Sequence, residues 1–303
     1  MKVYTHSDAD GIASGVLFMH QRIQTDKELP KIEFPSKFGD TSGWEKGDIM
    51  LDMRPDVNDI EGTVIDHHSD HPPEGERKYK LIWKEFPVTK ILYLLFEDHL
   101  PADCLWKAAI GIAGDGQAET IPYVLFERFP ILSSLEIRMG YKGTSYNIPI
   151  VMVLSSLINA PCRIQEPEIA FRRLLAAKRP EDILQDTNLR KVSSVVSKTV
   201  YSLRQEYNEV VLAKNIRYFS FEHEFKLEGR LATAISENNR VTAIVLNKKT
   251  GALSVRGMLA DYVEWKLKKF SDILRLGGHP GYKGGEVLNQ AFGEFEKLLF
   301  EEL

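Results

Sequence analysis

The sequence has little cysteine, no long apolar run and no excess of positive charge. Its two cysteines, Cys104 and Cys162, lie far apart among 303 residues and give neither a disulfide framework nor a paired-cysteine metal site. This usage fits a reducing cytoplasm. The longest apolar stretch, near residues 148–158, is interrupted by serines and is too short to cross a bilayer. The N-terminus, MKVYTHSDAD, lacks the apolar segment of a signal peptide. We therefore expect a cytoplasmic protein and exclude membrane proteins and small secreted domains.

The charge balance is slightly acidic. There are 39 basic and 43 acidic residues, for a formal net charge of −4. A chain that bound long duplex DNA through phosphates alone would normally be basic, so any nucleic-acid binding must be confined to a local patch or cleft. At 43% hydrophobic and 27% charged residues, the composition is that of a globular protein. The length predicts one large domain or two of about 150 residues each.

Short apolar runs alternate with amphipathic segments in the N-terminal half. The pattern predicts strands at residues 1–5, 48–53 and 63–65, and helices at 12–23, 88–96, 105–113 and 166–178. Strands that alternate with helices favour a parallel sheet with helices packed on its faces. The apolar segment 148–157 fits a strand or a helix, and the following NAPCR favours a helix that ends there. Residues 180–212 are predicted to form one long, polar connecting helix.

The pattern restarts after this connector. It predicts a strand at 216–221, a helix at 231–237, a hairpin formed by 241–247 and 252–256, a helix at 261–269, a glycine-rich loop at 276–285 and a final helix from residue 286. The predicted fold class is α/β. A mainly parallel-sheet domain (1–190) is joined by a helical connector (191–212) to a smaller α/β domain (213–303).

Acidic residues and histidines cluster at four places in the first 115 residues, three of them where predicted strands end. These clusters contain His6, Asp8 and Asp10; Asp52; Asp66, His67 and His68; and Asp115 in a Gly-Asp-Gly sequence after a predicted helix. In open α/β sheets the ligand crevice lies at the carboxyl ends of the strands, so at least three clusters could converge there. Packed carboxylates repel one another unless cations are bound. A mixed Asp/His set suits Mn²⁺ or Mg²⁺, and a pair of such ions can support phosphoryl transfer.

Each cluster taken alone also has a structural interpretation. Asp-x-Asp-Gly is often only a turn, Asp52 could cap a helix, the two adjacent histidines could lie on the surface, and Gly-Asp-Gly could be a tight turn. It is their joint occurrence after apolar runs, in one order along the chain, that favours a functional site.

Together these motifs resemble those of the DHH phosphoesterases. HSDADG, an Asp after a second strand, DHH and a later Asp are similar to the family's four metal motifs. The sequence GGHPGYKGG at 277–285 resembles the GGGH loop of the DHHA1 domain, and SVR at 254–256 resembles its strand-borne arginine. LINAPCR at 157–163 is similar to the RINAxGR signature of RecJ-type nucleases. The resemblance covers nearly the whole chain. It departs from the family at the first loop glycine, where this chain has Leu276, and at Pro280, Lys283 and Cys162.

The resemblance implies a site for two Mn²⁺ ions, with Mg²⁺ or Co²⁺ as possible substitutes. Asp8 and Asp10 would bind different ions, Asp52 would bridge them, His67 and Asp115 would complete the second, and His6 would join the first. In some family members the histidine stands four residues before the first aspartate, where this chain has Tyr4. Asp66 would orient a histidine through a hydrogen bond, and His68 would face the scissile phosphate. Asp52, Asp66 and His68 are thus the expected catalytic residues.

The resemblance places substrate binding in the second domain. The expected substrate-binding residues are Arg256, Gly277, Gly278, His279 and Tyr282, the last of which could stack on a base. Arg54 and Arg163 could also touch phosphates. The lysines near 266–269 could contribute positive charge or simply form a solvated face. The four tryptophans, including Trp265, are expected in the core or in a cleft wall rather than as base-stacking platforms.

The function implied first is a RecJ-like, metal-dependent exonuclease that hydrolyses single-stranded DNA or RNA with a metal-activated water. A second interpretation is a hydrolase of short substrates, such as oligoribonucleotides, a cyclic dinucleotide or phosphoadenosine phosphate. It is favoured because the chain ends soon after the glycine-rich loop, with no room for the OB domain of bacterial RecJ. A third is a non-catalytic replication scaffold, against which the intact acidic motifs argue. A pyrophosphatase is favoured least. Polarity, sugar preference and the choice between monomer and homodimer stay open, and no membrane partner is expected.

Overall fold

The chain folds into two compact units. The protein is described from a computed structural model that covers residues 1–68, 76–139, 145–206 and 210–303. Unit 1 comprises Met1–Cys162 and Glu166–Ser193, and unit 2 comprises Arg163–Gln165 and Ser194–Leu303.

A parallel sheet forms the centre of unit 1. Its strands are β1 (Lys2–Thr5), β2 (Lys31–Glu33), β3 (Asp48–Leu51), β4 (Gly62–Asp66) and β5 (Lys80–Trp83). Their order is β2-β1-β3-β4-β5, and every neighbouring pair is parallel. This confirms the predicted N-terminal α/β fold. Because β1, β3 and β4 are adjacent, the residues that follow them meet at one edge of the sheet.

Alternating side chains fix the two faces of this sheet. Val3, Leu51 and Ile65 point into the main core, which they share with the helices. Tyr4, Met50 and Val64, one residue out of phase, form a separate cluster on the opposite face with Met53, Ile60 and Tyr79. Both faces are therefore covered, as the nearly continuous apolar strands require.

Helices pack around the sheet of unit 1. They are α1 (Ala9–Gln24), α2 (Val88–Phe96), α3 (Trp106–Gly114), α4 (Tyr123–Arg128), α5 (Ile150–Arg163), α6 (Pro167–Ala176) and α7 (Pro180–Leu184), with a small hairpin of β6 (Leu135–Met139) and β7 (Ser145–Pro149) before α5. The ambiguous segment 148–157 lies mostly in helix α5, which ends at Arg163, the last residue of the NAPCR sequence, so the helix interpretation is confirmed. Within the described ranges, no helix combines the length and hydrophobicity needed to cross a membrane.

The prediction of a single helix over 180–212 is wrong. Helix α7 ends at Leu184, and a new helix, α8 (Thr187–Glu206), follows. The break occurs because the Asp186 carboxylate accepts hydrogen bonds from the backbone N–H groups of Asn188 and Leu189, which caps the start of α8. The last residues of the predicted connector lie in strand β8 (Val210–Ala213).

Unit 2 is built on a mixed sheet. After β8 come β9 (Ile216–Phe221), α9 (Glu228–Asn239), β10 (Thr242–Asn247), β11 (Ala252–Arg256), α10 (Ala260–Leu267), β12 (Leu274–His279), β13 (Tyr282–Val287) and α11 (Phe292–Glu302). The strand order is β12-β13-β11-β10-β9-β8. Among the described strands of this second sheet, only the β9–β10 pair is parallel. Ile244 and Val255 face a core that includes α10 and α11, and Val245 faces one that includes α9.

The glycine-rich segment is a β-hairpin and not the predicted loop. Leu276 of β12 pairs with Gly285 of β13, and Gly277 pairs with Gly284. A Cβ atom on Gly285 would lie 2.0 Å from the carbonyl oxygen of Arg275, so this close approach of two strands requires glycine. The final helix accordingly begins at Phe292 and not at residue 286.

Candidate metal centre

The carboxyl ends of three adjacent strands carry the polar residues of unit 1. His6 and Asp8 follow β1, Asp52 follows β3, and Asp66 ends β4 directly before His67 and His68. The His6 N–H donates to the carbonyl oxygen of Leu51, and the Asp52 N–H donates to that of Ile65. These bonds extend the strand pairing by one residue, so the side chains emerge side by side, as expected for a crevice at the ends of parallel strands.

A first group of possible ligands contains His6, Asp8 and Asp52. The Nδ1 atom of His6 lies 2.9 Å from Asp8 Oδ2 and 3.6 Å from Asp52 Oδ2. Asp8 is also the N-cap of α1, because its Oδ1 accepts the backbone N–H of Gly11 at 3.0 Å. One ligand atom from each residue falls within 4.8 Å of the others, which is compact enough for a single cation.

A second group contains Asp52, His67 and His68. Asp52 Oδ1 lies 3.1 Å from His67 Nε2, and a ligand atom of His68 lies within 4.8 Å of both residues. Asp52 therefore belongs to both groups, and a different one of its oxygens faces each histidine. Its backbone has φ = +58°, a left-handed conformation that few residues other than glycine, asparagine and aspartate adopt, and such outliers concentrate at functional sites.

Asp10 and Asp115 lie around His67. Asp10 Oδ2 is 3.8 Å from His67 Nε2, and Asp115 Oδ2 is 3.8 Å from His67 Nδ1. Asp115 is the C-cap of α3, which approaches α1 so closely that a Cβ atom on Gly114 would lie 2.4 Å from that of Ala9. The glycine before Asp115 thus permits close helix packing, whereas the turn after it uses Gly116 at φ = +78°.

Asp10 has a second task, which the sequence did not reveal. Its carboxylate accepts the backbone N–H groups of Val88 at 2.8 Å and Thr89 at 2.9 Å, together with the Thr89 hydroxyl. These two N–H groups lie in the first turn of α2 and therefore have no acceptor within the helix, and negative charge is favourable at this end of a helix. The same side chain therefore faces His67 and holds the start of α2.

His68 is held by its surroundings. Its Nδ1 lies 2.7 Å from Asp66 Oδ1, and its carbonyl oxygen accepts the indole N–H of Trp83 at 3.1 Å. The Arg54 guanidinium also reaches this carbonyl, at 3.4 Å, and lies 3.8 Å from Asp66. The half-exposed ring of Phe38 sits edge-on to both His6 and His68, with centroids 5.5 and 5.2 Å away.

Burial and charge shift several ionisation equilibria here. Burial, the strongest effect, and the neighbouring carboxylates of Asp10 and Asp8 raise the pKa of Asp52 well above its ordinary value. Burial also raises the pKa of Asp10. For His6, desolvation lowers the pKa, but Asp8 and Asp52 together outweigh it and raise the pKa to about 10. For Asp66, desolvation is outweighed by the hydrogen bond and charge of His68, and the pKa is lowered.

This donor set fits divalent cations. Buried carboxylates that repel one another are costly unless a positive charge compensates them. The donors are carboxylate oxygens and imidazole nitrogens, which suit Mn²⁺ and Mg²⁺ rather than a thiolate-binding metal. Asp52 belongs to both compact groups, which matches a site for two ions. The second compact group contains His68, whereas the resemblance implies Asp115 as the further ligand of that ion.

Two arginines of unit 2 lie around the small space beside Gly229, which we call the arginine pocket. A Cβ atom on Gly229 in the first turn of α9 would lie 3.5 Å from Arg256 Nη2, 3.8 Å from Arg163 Nη1 and 3.9 Å from Ser254 Oγ. Glycine therefore leaves open a space onto which these polar groups converge. Among the described residues, the Nε–H of Arg163 is a buried donor without a hydrogen-bond partner. The geometry fits an anion such as a phosphate.

The remaining predicted substrate residues lie near Arg256. The Arg256 Nη1 donates to the carbonyl oxygens of Val255 and Lys283, and its guanidinium lies 5.4 Å from the ring centroid of Tyr282, which is 57% exposed. Desolvation and the charge of Arg163 lower the pKa of Arg256 to about 10, which leaves it charged at neutral pH. Gly277 and Gly278 lie in β12. His279 ends that strand, and its side chain lies outside the described part of the structure.

Three residues near the metal centre were missed by sequence reasoning. Asn159 Oδ1 accepts the Ala9 N–H at 2.9 Å and so supports the loop that carries Asp8. Its only signal was its place in the RecJ-like LINAPCR segment. Thr89 and Phe38 carried no signal, because their roles depend on contacts between segments that are distant in the sequence.

No family model and no curated protein matches the sequence. Solved structures do match. RecJ from Thermus thermophilus in complex with Mn²⁺ gives a TM-score of 0.69 at 17% identity over 99% of this chain and 51% of that one. The DHH domain of a member of the S1p family of ribosomal proteins gives 0.66 at 14% identity, over 99% and 85%. CDC45 from Entamoeba histolytica gives 0.59 at 10% identity, over 99% and 94%.

These comparisons establish the fold. The protein has a RecJ-like DHH fold, here an α/β unit with a parallel sheet followed by a smaller α/β unit. The chain spans about half the length of the Thermus thermophilus RecJ that it resembles.

Proposed function

We propose that the protein is a metal-dependent phosphodiesterase that hydrolyses single-stranded nucleic acid from one end. The observation that carries the proposal is the shared position of Asp52, which belongs to two ligand groups at once. Paired divalent ions at such a site are typical of enzymes that cleave phosphate esters. The likeness to RecJ, structures of which were determined with Mn²⁺ and with Mg²⁺, supports a divalent ion of this kind.

The residues then divide between two ions. His6, Asp8 and Asp52 would hold the first, and Asp10, Asp52, His67 and Asp115 would surround the second. When bound, the two ions supply a water that loses its proton near neutral pH and offset the negative charge of the phosphate.

The other side chains have supporting tasks. Asp66 holds Nδ1 of His68 and so fixes the orientation of the ring, which leaves Nε2 to contact a non-bridging phosphate oxygen. Arg54, beside Asp66, offsets the charge of that carboxylate. In unit 2, Arg163 and Arg256 would bind a second phosphate of the same strand, since a guanidinium matches two phosphate oxygens.

A direct test uses end-labelled substrates. The purified protein is incubated with Mn²⁺ and with DNA and RNA strands of ~2 to 40 nucleotides, labelled at either end, beside the Asp52→Asn variant. Turnover that needs Mn²⁺ and is lost in the variant supports the proposal. Turnover restricted to the shortest strands supports the short-substrate hydrolase. A protein that binds metal but cleaves no phosphodiester is not this enzyme, and a scaffold with a CDC45-like fold then becomes the better description.

A further inference from the structure

The hairpin of β6 and β7 forms a sheet of its own in unit 1. In the part of the chain that the structure describes, no further strand pairs with either β6 or β7. An isolated two-stranded sheet is only marginally stable in water, and its outer edges offer unpaired backbone groups to another strand. The two edges of this hairpin are therefore candidate binding surfaces for a strand.

The hydrogen-bond pattern shows which groups face the outer edge of β6. The N–H of Ile150, directly after β7, donates to the carbonyl oxygen of Ser134, directly before β6, at 2.8 Å. These two residues lie opposite each other in the register that pairs Leu135 with Pro149, so they form a hydrogen-bonded pair. In antiparallel strands such pairs alternate with pairs that exchange no hydrogen bonds. The backbone groups of Leu135 and of every second residue after it in β6 therefore point away from β7.

The outer edge of β7 is less suited to a further strand. By the same alternation, the backbone groups of Asn147 and Pro149 point away from β6. Proline has no N–H, so this edge lacks one of its donors, and prolines protect the edges of natural sheets in this way. The outward groups of β6 belong to leucine, isoleucine and methionine, each of which has both a donor and an acceptor. A further strand should therefore add to β6.

One face of β6 exposes apolar side chains. Leu132, just before β6, and Ile148 of β7 pack on the core of unit 1. Ile148 lies opposite Glu136, and side chains alternate along a strand, so Leu135 and Ile137 lie on the other face. They are 60% and 73% exposed. Exposed apolar side chains that are grouped in this way often mark interfaces.

The sequence of β6 is complementary to itself. An antiparallel second copy of β6, centred on Ile137, would pair Ile137 with its own counterpart and Leu135 with Met139. Glu136 would lie opposite Arg138 of the second copy, and this pair of opposite charges would occur twice. Because the backbone groups of Ile137 point outward, the central pair is hydrogen-bonded. The Glu136 and Arg138 positions then form the pairs without hydrogen bonds, in which opposite side chains lie closest together.

We propose that two copies of this chain associate through β6, in antiparallel pairing centred on Ile137, to form one four-stranded sheet with the order β7-β6-β6-β7. A second copy is the partner that fits, because this register pairs all five residues of β6 and matches both charges. The two β7 strands, each with Pro149 on its outer edge, end the sheet, so the assembly closes as a dimer. The inference does not depend on the catalytic proposal, since the hairpin contains none of the proposed metal ligands.

Sedimentation velocity of the full-length protein tests for this dimer. Because the interface is small, the dimer should dissociate on dilution, and we expect the sedimentation coefficient to rise with protein concentration between about 1 and 500 µM. Glu136→Arg and Arg138→Glu each place like charges opposite one another in both pairs, so each variant alone should stay monomeric. The matched control, Glu28→Arg, reverses an exposed charge in the loop after α1 and should dimerise like the wild type.

A mixture of the two variants tests the register itself. One variant then carries two positive charges on β6 and the other carries two negative charges, so a heterodimer should form although neither variant dimerises alone. This rescue also shows that both variants are folded. The proposal is overturned if the wild type stays monomeric over the whole concentration range, if either variant alone dimerises as tightly as the wild type, or if the mixture stays monomeric.

Hydrogen exchange locates the contact within the hairpin. The Ile137 N–H lies on the outer edge of β6, and that of its cross-strand partner Asn147 lies on the outer edge of β7. Raising the wild-type concentration should slow exchange at Ile137 and leave exchange at Asn147 unchanged, because only the first N–H gains an acceptor in the dimer. Dimerisation without slower exchange at Ile137 would place the interface elsewhere and overturn the proposal.

Discussion

Replacing Asp52 by asparagine tests the two-ion arrangement most directly. Asp52 Oδ2 faces His6 at 3.6 Å, and Oδ1 faces His67 at 3.1 Å, so each ligand group receives one carboxylate oxygen. The amide of Asp52→Asn offers one oxygen and one NH₂ group. At least one of the two groups therefore loses its shared ligand, and the protein should bind at most one ion. Because a metal ion contributes several kcal/mol to transition-state stabilisation, we expect kcat to fall by about 1000-fold or more.

The fold of this variant should survive. Burial and the nearby carboxylates already raise the pKa of Asp52, so the charged form is disfavoured in the metal-free protein and a neutral side chain relieves repulsion. Asparagine also tolerates the left-handed backbone at φ = +58°. The Tm of the metal-free variant should equal or exceed that of the wild type.

The assay combines metal analysis, activity and thermal unfolding. The control is Asp59→Asn, which changes an exposed aspartate paired with Lys78 in the same unit and should alter none of the three. Two ions per chain in purified Asp52→Asn, or wild-type turnover by it, would refute the assignment of Asp52 as the shared ligand. A large drop in Tm would show instead that its role is structural.

Three further expectations concern the arginine pocket and the protonation of the metal site. The Arg256→Ala variant should retain its metal, and its kcat/KM on oligonucleotides should fall roughly 10- to 1000-fold. Its kcat/KM on bis(p-nitrophenyl) phosphate should fall much less, because this ester has no second phosphate. Equal losses on both substrates would contradict a role of Arg256 in substrate binding. Gly229→Leu should fill the pocket and raise KM for strands, whereas Gly229→Ala, with its Cβ 3.5 Å from the guanidinium, should have a smaller effect; unchanged KM in both would exclude binding there. Because the pKa of His6 is raised to about 10, this ring is protonated in the metal-free protein at neutral pH and must lose its proton to bind metal. Asp52, whose pKa is also raised, would have to lose a proton as well. Mn²⁺ affinity should therefore increase with pH between about pH 7 and 9, by about tenfold per pH unit for each proton released, and calorimetry would measure that release. A flat profile would contradict both residues as ligands.

The sequence predicted the three central strands of unit 1, β1, β3 and β4, because their signals are local, but it missed the short edge strands β2 and β5. Apolar runs ending in His6, Asp52 and Asp66 indicated buried strands with polar residues at their carboxyl ends, and those ends do meet in the structure. The ligand groups around Asp52 could be anticipated for the same reason. The sequence pattern could not predict that one carboxylate oxygen of Asp52 faces His6 and the other faces His67, or that Asp52 has a left-handed backbone conformation.

The errors have equally local causes. One aspartate, Asp186, ends the predicted connector helix by capping the next one, and a polar residue in a polar segment gives no warning of that. Glycines at 277, 278, 284 and 285 indicated a loop by propensity, yet they lie in the two paired strands of a hairpin. A side chain would clash at Gly278 and Gly285, whereas the space at Gly284 is open, so local propensity did not show that the segment is paired. The surface position of Trp265, which is 68% exposed, was missed because a short amphipathic pattern does not say which large residue is left outside.

If metal binds as proposed, the two sets of contacts made by Asp10 should make α2 an internal reporter of metal occupancy. In the metal-free protein, the backbone N–H groups of Val88 and Thr89 stabilise the Asp10 carboxylate, which is buried close to other carboxylates. A cation near His67 would draw electron density from that carboxylate and weaken its hold on both amides. The exchange rates and chemical shifts of these two N–H groups should then respond to metal, although neither residue supplies a ligand. For the same reason, loss of activity on substituting Asp10 would mix two effects, because the variant removes both a proposed ligand and the hydrogen-bond acceptor that holds the start of a helix.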